Sequence, residues 1–252
     1  MEKLIAGKGI IKTFGEETEK VKVLNGVDVA IYKGEFVSIM GASGSGKSTL
    51  MYALSGMDTV DDGTVDFQEQ RLNDMEEEAL ANLRRSQMGF IFQQPTLLKN
   101  LSILDNIVLP MMRDKRNEPQ EVFNRAERLM EKVGIEELAD RRITQVSGGQ
   151  LQRAGICRAL VGEPDILFGD EPTGALNSKA AQEIMNILIR INREGTTVLI
   201  VTHDVKVAAQ SERVLFMEDG RITDELFLGK YAERELEQRM EQVNAKMLET
   251  EV

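Results

Sequence analysis

Gly41-Ala42-Ser43-Gly44-Ser45-Gly46-Lys47-Ser48-Thr49 is the stretch on which the reading of this chain turns. It fits G-x-x-x-x-G-K-[ST], and it lies between an apolar run, Phe36-Val37-Ser38-Ile39-Met40, and a helical pattern carried by Leu50, Met51, Ala53 and Leu54. A phosphate-binding loop has to sit in that position. Glycines let the backbone curl until successive N–H groups converge on phosphate oxygens. The helix that follows adds its unpaired N–H groups and the positive end of its dipole. Lys47 is placed to reach terminal phosphates, and the Ser48 hydroxyl to hold Mg²⁺. A flexible Gly/Ser linker has a similar composition, but a linker is not expected between a strand and a helix. The stretch predicts a nucleoside triphosphate site.

Working outward, Leu4–Phe14 and Val21–Ile31 alternate or run apolar like strands, separated by the charged loop Gly15–Lys20. Phe36–Met40 is a short buried strand feeding the loop. Asp61-Asp62-Gly63 is a turn signal, after which Thr64–Phe67 reads as a returning strand. Met88–Phe92 reads as another strand, ending in Gln93-Gln94-Pro95. From about Gln94 to Leu160 the pattern is helical. Val122, Ala126, Leu129 and Val133 share one helix face there, with Pro119 near its start and Gly134 just past its end. Strand logic resumes at Asp165–Gly169, then a helix striped by Ala181, Ile184, Leu188 and Ile191, then Thr196–Val201, with Val214–Met217 as the last strand. This alternation predicts an α/β fold on a mostly parallel sheet.

Polar residues directly after strands are the candidates for chemistry, because ligands of open α/β sheets bind outside the carboxyl ends of the strands. Asp170 and Glu171 follow the apolar Ile166-Leu167-Phe168. A carboxylate there can bind Mg²⁺ directly or through water, and its neighbour can take a proton from the attacking water. His203, the single histidine of the chain, follows the buried Thr196–Val201 run, where an imidazole can contact the γ-phosphate and position water. Together with Gly41–Ser48, these groups are expected to converge on one crevice. Ser147-Gly148-Gly149-Gln150 is a capping box opening the helical pattern Leu151, Ala154, Ile156, Ala159, Leu160. Two glycines in a first turn cost helix propensity, so something should require bare backbone there. A glycine-rich helix N-terminus is a second anion site.

Composition bounds the rest. At 252 residues, with 42% hydrophobic and 29% charged, the chain can bury a proper core and looks like an ordinary globular protein. No apolar run approaches the roughly 18 residues of a membrane span, and the N-terminus carries no signal-peptide pattern. A single cysteine, Cys157, excludes an internal disulfide and suits a reducing compartment. A net charge of −11 argues against a nucleic-acid groove, and the basic pairs Arg84-Arg85 and Arg141-Arg142 read as solvated faces. The expectation is an intracellular protein whose membrane role, if any, comes through a partner.

From Val146 through Arg153 the chain resembles the signature motif of ATP-binding cassette (ABC) ATPases, and about residues 3–225 look like one such domain. The motif order agrees: phosphate loop, Gln93 in Phe-Ile-Phe-Gln-Gln as the Q-loop, signature, Asp170-Glu171, D-loop Gly174–Asn177, and switch His203. The resemblance implies a P-loop NTPase with a RecA-like, mostly parallel sheet core, an antiparallel β subdomain and an inserted helical subdomain at about 94–160. It implies ATP and Mg²⁺ as cofactors, with Gln93 joining Ser48 and Asp170 at the metal and Phe14 stacking on adenine where the family usually has tyrosine. It also implies a head-to-tail homodimer, in which the second anion site at Ser147–Gln150 serves the partner's γ-phosphate. Val146, Gly169 and Asn177 depart from the family's usual residues without removing a catalytic group.

The wording around the motifs, Gly-Glu-Phe-Val-Ser-Ile-Met before the loop and Asp-Glu-Pro-Thr-Gly-Ala-Leu-Asn-Ser-Lys at 170–179, is most similar to the macrolide, lipoprotein-release and bacitracin-type branch. That branch implies a separate membrane permease as partner and a peripheral location on the inner face of the cell membrane. An ATP-gated signalling scaffold, as in cell-division relatives, is the alternative; a DNA-repair or translation ATPase ranks below both. Residues 226–252 extend past the resemblance. Leu236, Met240, Val243 and Met247 give them an amphipathic helix with a narrow apolar seam, expected to pack on its own domain, with a dimer or regulatory contact as the alternative.

Overall fold

The computed structural model describes residues 2–15, 20–112 and 118–250; within the charged loop Gly15–Lys20, residues 16–19 lie outside the described residues. In chain order the first strands are β1 (Lys3–Phe14), β2 (Val21–Tyr32) and β3 (Phe36–Met40), followed by helix α1 (Lys47–Leu54) and strands β4 (Asp62–Phe67) and β5 (Gln70–Arg71). Next come α2 (Glu77–Gln87), β6 (Met88–Phe92), α3 (Ile103–Met112), α4 (Pro119–Val133), α5 (Gly148–Leu160) and β7 (Ile166–Asp170). The chain closes with α6 (Ser178–Arg193), β8 (Thr197–Val201), the short α7 (Val205–Ala208), β9 (Arg213–Glu218), β10 (Arg221–Phe227) and α8 (Leu236–Thr250). It divides into two compact units, Met1–Leu80 with Ile191–Val252, and Ala81–Arg190.

The first unit carries an antiparallel sheet in the order β2-β1-β4-β5. It also carries a set of strands in which β3 pairs in parallel with both β8 and β9, and β10 closes antiparallel on β9. All residues of β3 and β8 are buried, which is why both read as continuous apolar runs rather than as alternations. Two sequence expectations need correction here. Val214–Met217 is not the last strand, since β10 returns against it through Asp219-Gly220, both at positive φ (44° and 74°). That is the two-residue hairpin geometry that Asp-Gly favours. Asp61-Asp62-Gly63 is not a turn: β4 begins at Asp62, and the strand passes a register shift in β1 between Lys8 and Ile11. The tight turn comes later, at Gln68-Glu69, whose φ values are 47° and 66°.

In the second unit β6 and β7 run parallel, in register from Met88 opposite Ile166 to Phe92 opposite Asp170. Phe90 and Phe168 stack across them with ring centroids 5.4 Å apart. Helix α4 starts with Pro119 and ends at Gly134 in the left-handed conformation (φ 69°), as its sequence signals required. Its buried face is Val122, Ala126, Met130 and Val133, so Met130 rather than Leu129 is the third core position. Helix α5 buries Ala154, Gly155, Ile156 and Cys157 in the middle of this unit.

Helix α8 folds back onto the first unit. Val243 is wholly buried, and Leu236, Met240 and Met247 pack on the cluster Met40, Ala208, Ala209, Val214 and Phe216. The amphipathic seam therefore finds its partner on its own domain. Arg239, 3% exposed, donates from its guanidinium to the carbonyls of Ser211, Leu228, Gly229 and Lys230 at 2.6–3.2 Å. One side chain thereby satisfies backbone acceptors on two different loops.

Candidate functional site

The glycine-rich loop leaves β3 at Gly41 and enters α1 at Lys47. Gly41 (φ 153°) cannot carry a side chain, because a Cβ there would collide with the Met217 carbonyl. Gly46 (φ 98°) forms the N-cap of α1 without a side-chain cap, and a Cβ on it would press on the Val23 carbonyl at 2.8 Å. An uncapped helix start leaves first-turn N–H groups directed into the loop. Ser45 Oγ is buried and has no hydrogen-bond partner among the described residues. Lys47, 7% exposed, turns its ammonium to the Ala42 carbonyl at 2.6 Å. An uncapped helix start, an orphaned hydroxyl and a desolvated ammonium form a donor set suited to a polyphosphate. Ala42, Ser43 and Gly44 form the exposed crest of the loop, while Ser48 and Thr49 are half-buried in the first turn of α1.

β8 pairs in parallel with β3, with Ile39 opposite Val201, and the Thr202 N–H continues the ladder to the Ile39 carbonyl at 3.1 Å. His203 therefore emerges at the carboxyl end of the strand next to the one that delivers the loop. It is exposed, and its peptide is bracketed on both sides. Thr202 Oγ1 accepts from the Asp204 N–H at 3.0 Å, and Asp204 Oδ1 accepts from the Lys206 N–H at 2.7 Å, capping α7. Phe14 ends β1 with its ring 45% exposed, and the ammonium of Lys12 lies 5.1 Å from the ring centroid. Lys12 is in turn held by Asp58 at 2.7 Å. An exposed aromatic face anchored this firmly has the chemistry to stack on a planar ring.

In the second unit the register that sets Phe92 opposite Asp170 brings Gln93 and Glu171 to the same end of adjacent parallel strands. They meet at Gly174: a Cβ placed there would come within 2.8 Å of Gln93 Nε2 and 3.1 Å of Glu171 Oε2. Glu171 has φ 46°, a left-handed conformation sparsely populated by residues with a Cβ and characteristic of strained functional positions. Asn177, the D-loop departure, caps α6, accepting from the Ala180 N–H at 2.9 Å. An amide serves that purpose as well as a carboxylate.

The capping box at the start of α5 is formed: the Gln150 N–H donates to Ser147 Oγ at 3.3 Å, and the Ser147 N–H donates to Gln150 Oε1 at 2.8 Å. The two glycines are the informative part. A Cβ on Gly148 would meet only Leu176 Cδ2 at 3.9 Å, and one on Gly149 only Ala180 Cβ at 3.4 Å, both ordinary contacts. Neither glycine sits at positive φ. The fold of this chain gives no reason for glycine at either position, so the bare backbone suits an approach from outside it.

Thus the first unit brings together the phosphate loop and His203, and the second brings together Gln93, Asp170 and Glu171, with Ser147–Gln150 on its own helix. Gln152 lies inside the Val146–Arg153 stretch, but sequence reasoning gave it no role of its own. This residue is 1% exposed, and its amide reaches the carbonyls of Phe92 and Pro172.

Comparison with known proteins places the chain among its relatives. A family model described as ABC transporter matches residues 24–174. The bacitracin export ATP-binding protein BceA of Halalkalibacterium halodurans is 40% identical over 229 residues, covering 90% of this chain and 89% of that protein. The macrolide export ATP-binding/permease protein MacB of Pasteurella multocida is 39% identical over 219 residues; the match covers 87% of this chain but 34% of that longer protein. Among solved structures, a dimeric post-hydrolysis ATP-binding cassette bound to ADP and Pi superposes with a TM-score of 0.83 at 37% identity, covering 90% of this chain and all of that one.

Proposed function

The chain belongs to the ABC transporter family and is an ATP-binding cassette ATPase, and from that premise we propose that it works as a head-to-tail homodimer driving a separate membrane permease. Two ATP molecules would each be held between the Gly41–Thr49 loop of one copy and Ser147–Gln150 of the other. The observation that carries the dimer is the pair Gly148-Gly149, open backbone at a capped helix start that the chain's own packing does not require. Phe14 stacks on the adenine, and Lys47 with the loop N–H groups holds the phosphates. As the family resemblance implies, Ser48, Gln93 and Asp170 would hold Mg²⁺, which would supply charge neutralisation for the phosphates. Glu171 takes the proton of the attacking water and His203 contacts the γ-phosphate. ATP binding closes the dimer and hydrolysis reopens it.

The permease follows from the relatives. One is named as an export ATP-binding protein, and another joins the ATP-binding and permease functions in one chain. Among the described residues no helix is long and apolar enough to cross a membrane. We place the chain at the inner face of the cell membrane, bound to a permease of the antimicrobial-peptide or macrolide type near Gln93 and the helices that follow it. We assign residues 1–225 to the ATPase domain and 226–252 to an extension that begins with the end of β10 and carries α8, docked on the first unit. The signalling-scaffold alternative is not favoured by the exporter relatives. The test is a pull-down of the tagged Glu171→Gln chain in mild detergent with ATP, read by mass spectrometry. A polytopic membrane protein is expected; ribosomes, nucleic-acid factors or no membrane protein would overturn the permease-motor assignment.

A further inference from the structure

Gln152 has no part in the roles assigned above. It stands on the second turn of α5, among the buried residues of that helix, and is 1% exposed. Its Nε2 donates twice, to the Phe92 carbonyl at 3.0 Å and to the Pro172 carbonyl at 2.8 Å. Phe92 precedes Gln93, and Pro172 follows Glu171. The β6–β7 ladder ends with Phe92 opposite Asp170. Beyond that point, a single amide from a helix ties together the two segments that the ladder has released.

Chemistry suggests that this is more than packing. Gln152 Oε1 is buried without a hydrogen-bond partner among the described residues. An orphaned buried acceptor is unfavourable, and methionine, of similar length, would fill the space without one. What the amide offers beyond volume is its two N–H donors. They hold the backbone on the C-terminal side of Glu171, whose left-handed φ of 46° persists only where surrounding contacts over-determine it. The Gly174 N–H adds a second restraint, donating to the Glu171 carbonyl at 2.9 Å.

The other end of the same helix is the capped, glycine-rich start Ser147-Gly148-Gly149. A helix moves as a stiff rod over so short a distance, so a displacement of its N-terminus is carried to Gln152 little more than one turn away. We propose that Gln152 is a positioning residue that couples engagement of the α5 N-terminus to the placement of Glu171. Phosphate captured at Ser147–Gln150 sets the angle of α5, and Gln152 passes that setting to the two strand ends. Hydrolysis then depends on a properly docked α5, which ties catalysis to dimer closure. The inference rests on the assignment of Glu171 as the base.

The test compares Gln152→Met and Gln152→Glu in the full chain, each in the native and the Glu171→Gln background. Methionine keeps the volume; glutamate keeps the shape but removes both donors and faces two carbonyls with a carboxylate. The readouts are kcat and KM for ATP, single-turnover hydrolysis, trinitrophenyl-ATP affinity and the urea unfolding midpoint. In the native background kcat is expected to fall about 10–100-fold for both variants, the cost of misplacing a reacting group, with KM and nucleotide affinity held within about twofold. In the Glu171→Gln background the same changes should alter the residual single-turnover rate by less than about twofold, because the carboxylate being positioned is gone. An undiminished kcat in both variants, or an equal loss in both backgrounds, would overturn the proposal. A Glu171→Gln chain that hydrolyses ATP at the native rate would instead overturn the assignment of the base, and the coupling with it.

Discussion

Lys47 Nζ donates to the carbonyl of Ala42 at 2.6 Å, so the ammonium lies across the loop that it closes. At 7% exposure that charge has already lost most of its water, and a phosphate that reaches it meets a donor whose desolvation is largely complete. Lys47→Met removes a charge-assisted hydrogen bond to the nucleotide. Affinity for trinitrophenyl-ATP is expected to fall by about 10–100-fold, the equivalent of roughly 1.5–3 kcal/mol. Equal affinity in the two proteins would remove Lys47 from the phosphate site.

Gly148 provides a test in which stability and activity move in opposite directions. A methyl group fits there, 3.9 Å from Leu176 Cδ2, and alanine is the better helix former. Gly148→Ala should raise the unfolding free energy by about 0.5–1 kcal/mol. The same change should cut ATP hydrolysis while leaving nucleotide binding by the monomer intact, if the bare backbone faces the partner's phosphate. A variant that is both more stable and fully active would show that no phosphate approaches this helix start.

Arg239 and Lys246 lie on the same helix but differ in what they hold. Arg239 satisfies the carbonyls of Ser211, Leu228, Gly229 and Lys230, and its loss strands buried acceptors. Arg239→Leu is expected to destabilise the chain by about 3 kcal/mol in urea unfolding. Lys246 forms surface pairs with Asp224 and Glu249 in solvent, and Lys246→Ala should leave the midpoint nearly unchanged. Similar effects from the two substitutions would contradict this account of how α8 is docked.

Cys157 is wholly buried in α5, and burial pushes its thiol up to about 12. Iodoacetamide at pH 8 should therefore modify it only as fast as the chain unfolds. The shift also has a stability signature. The folded pKa lies above the thiol's ordinary value of 9.0, so the stabilising contribution is complete below pH 9 and is lost as pH rises toward 12. Urea unfolding of Cys157→Ala should lack that component of the alkaline slope. Rapid alkylation of the native chain would disprove the burial.

Chemistry in this chain was written more locally than topology. The phosphate loop, Asp170-Glu171, His203 and the Ser147–Gln150 capping box each carry their meaning within a few residues, and each lies at the strand or helix end that the sequence implied. Strand β10 was legible but overlooked, since Asp219-Gly220 is as clear a hairpin signal as a sequence offers. The turn at Gln68-Glu69 was not legible, because neither residue favours positive φ and tertiary pairing of β4 with β5 imposes it. Helix α2 had a weak stripe, with Leu80 and Leu83 as its buried leucines. The tie made by Gln152 was not legible for a physical reason: its two acceptors lie 60 and 20 residues away in sequence, and only the folded chain brings them to one amide.

The most direct test of the central claim is light scattering of purified Glu171→Gln with and without ATP, with phosphate release measured on the same samples. The account predicts a monomer without nucleotide, a stable dimer with ATP, and hydrolysis reduced by about 10²-fold or more through loss of the base. A chain that stays monomeric with ATP bound, or that releases phosphate at the native rate, would contradict it.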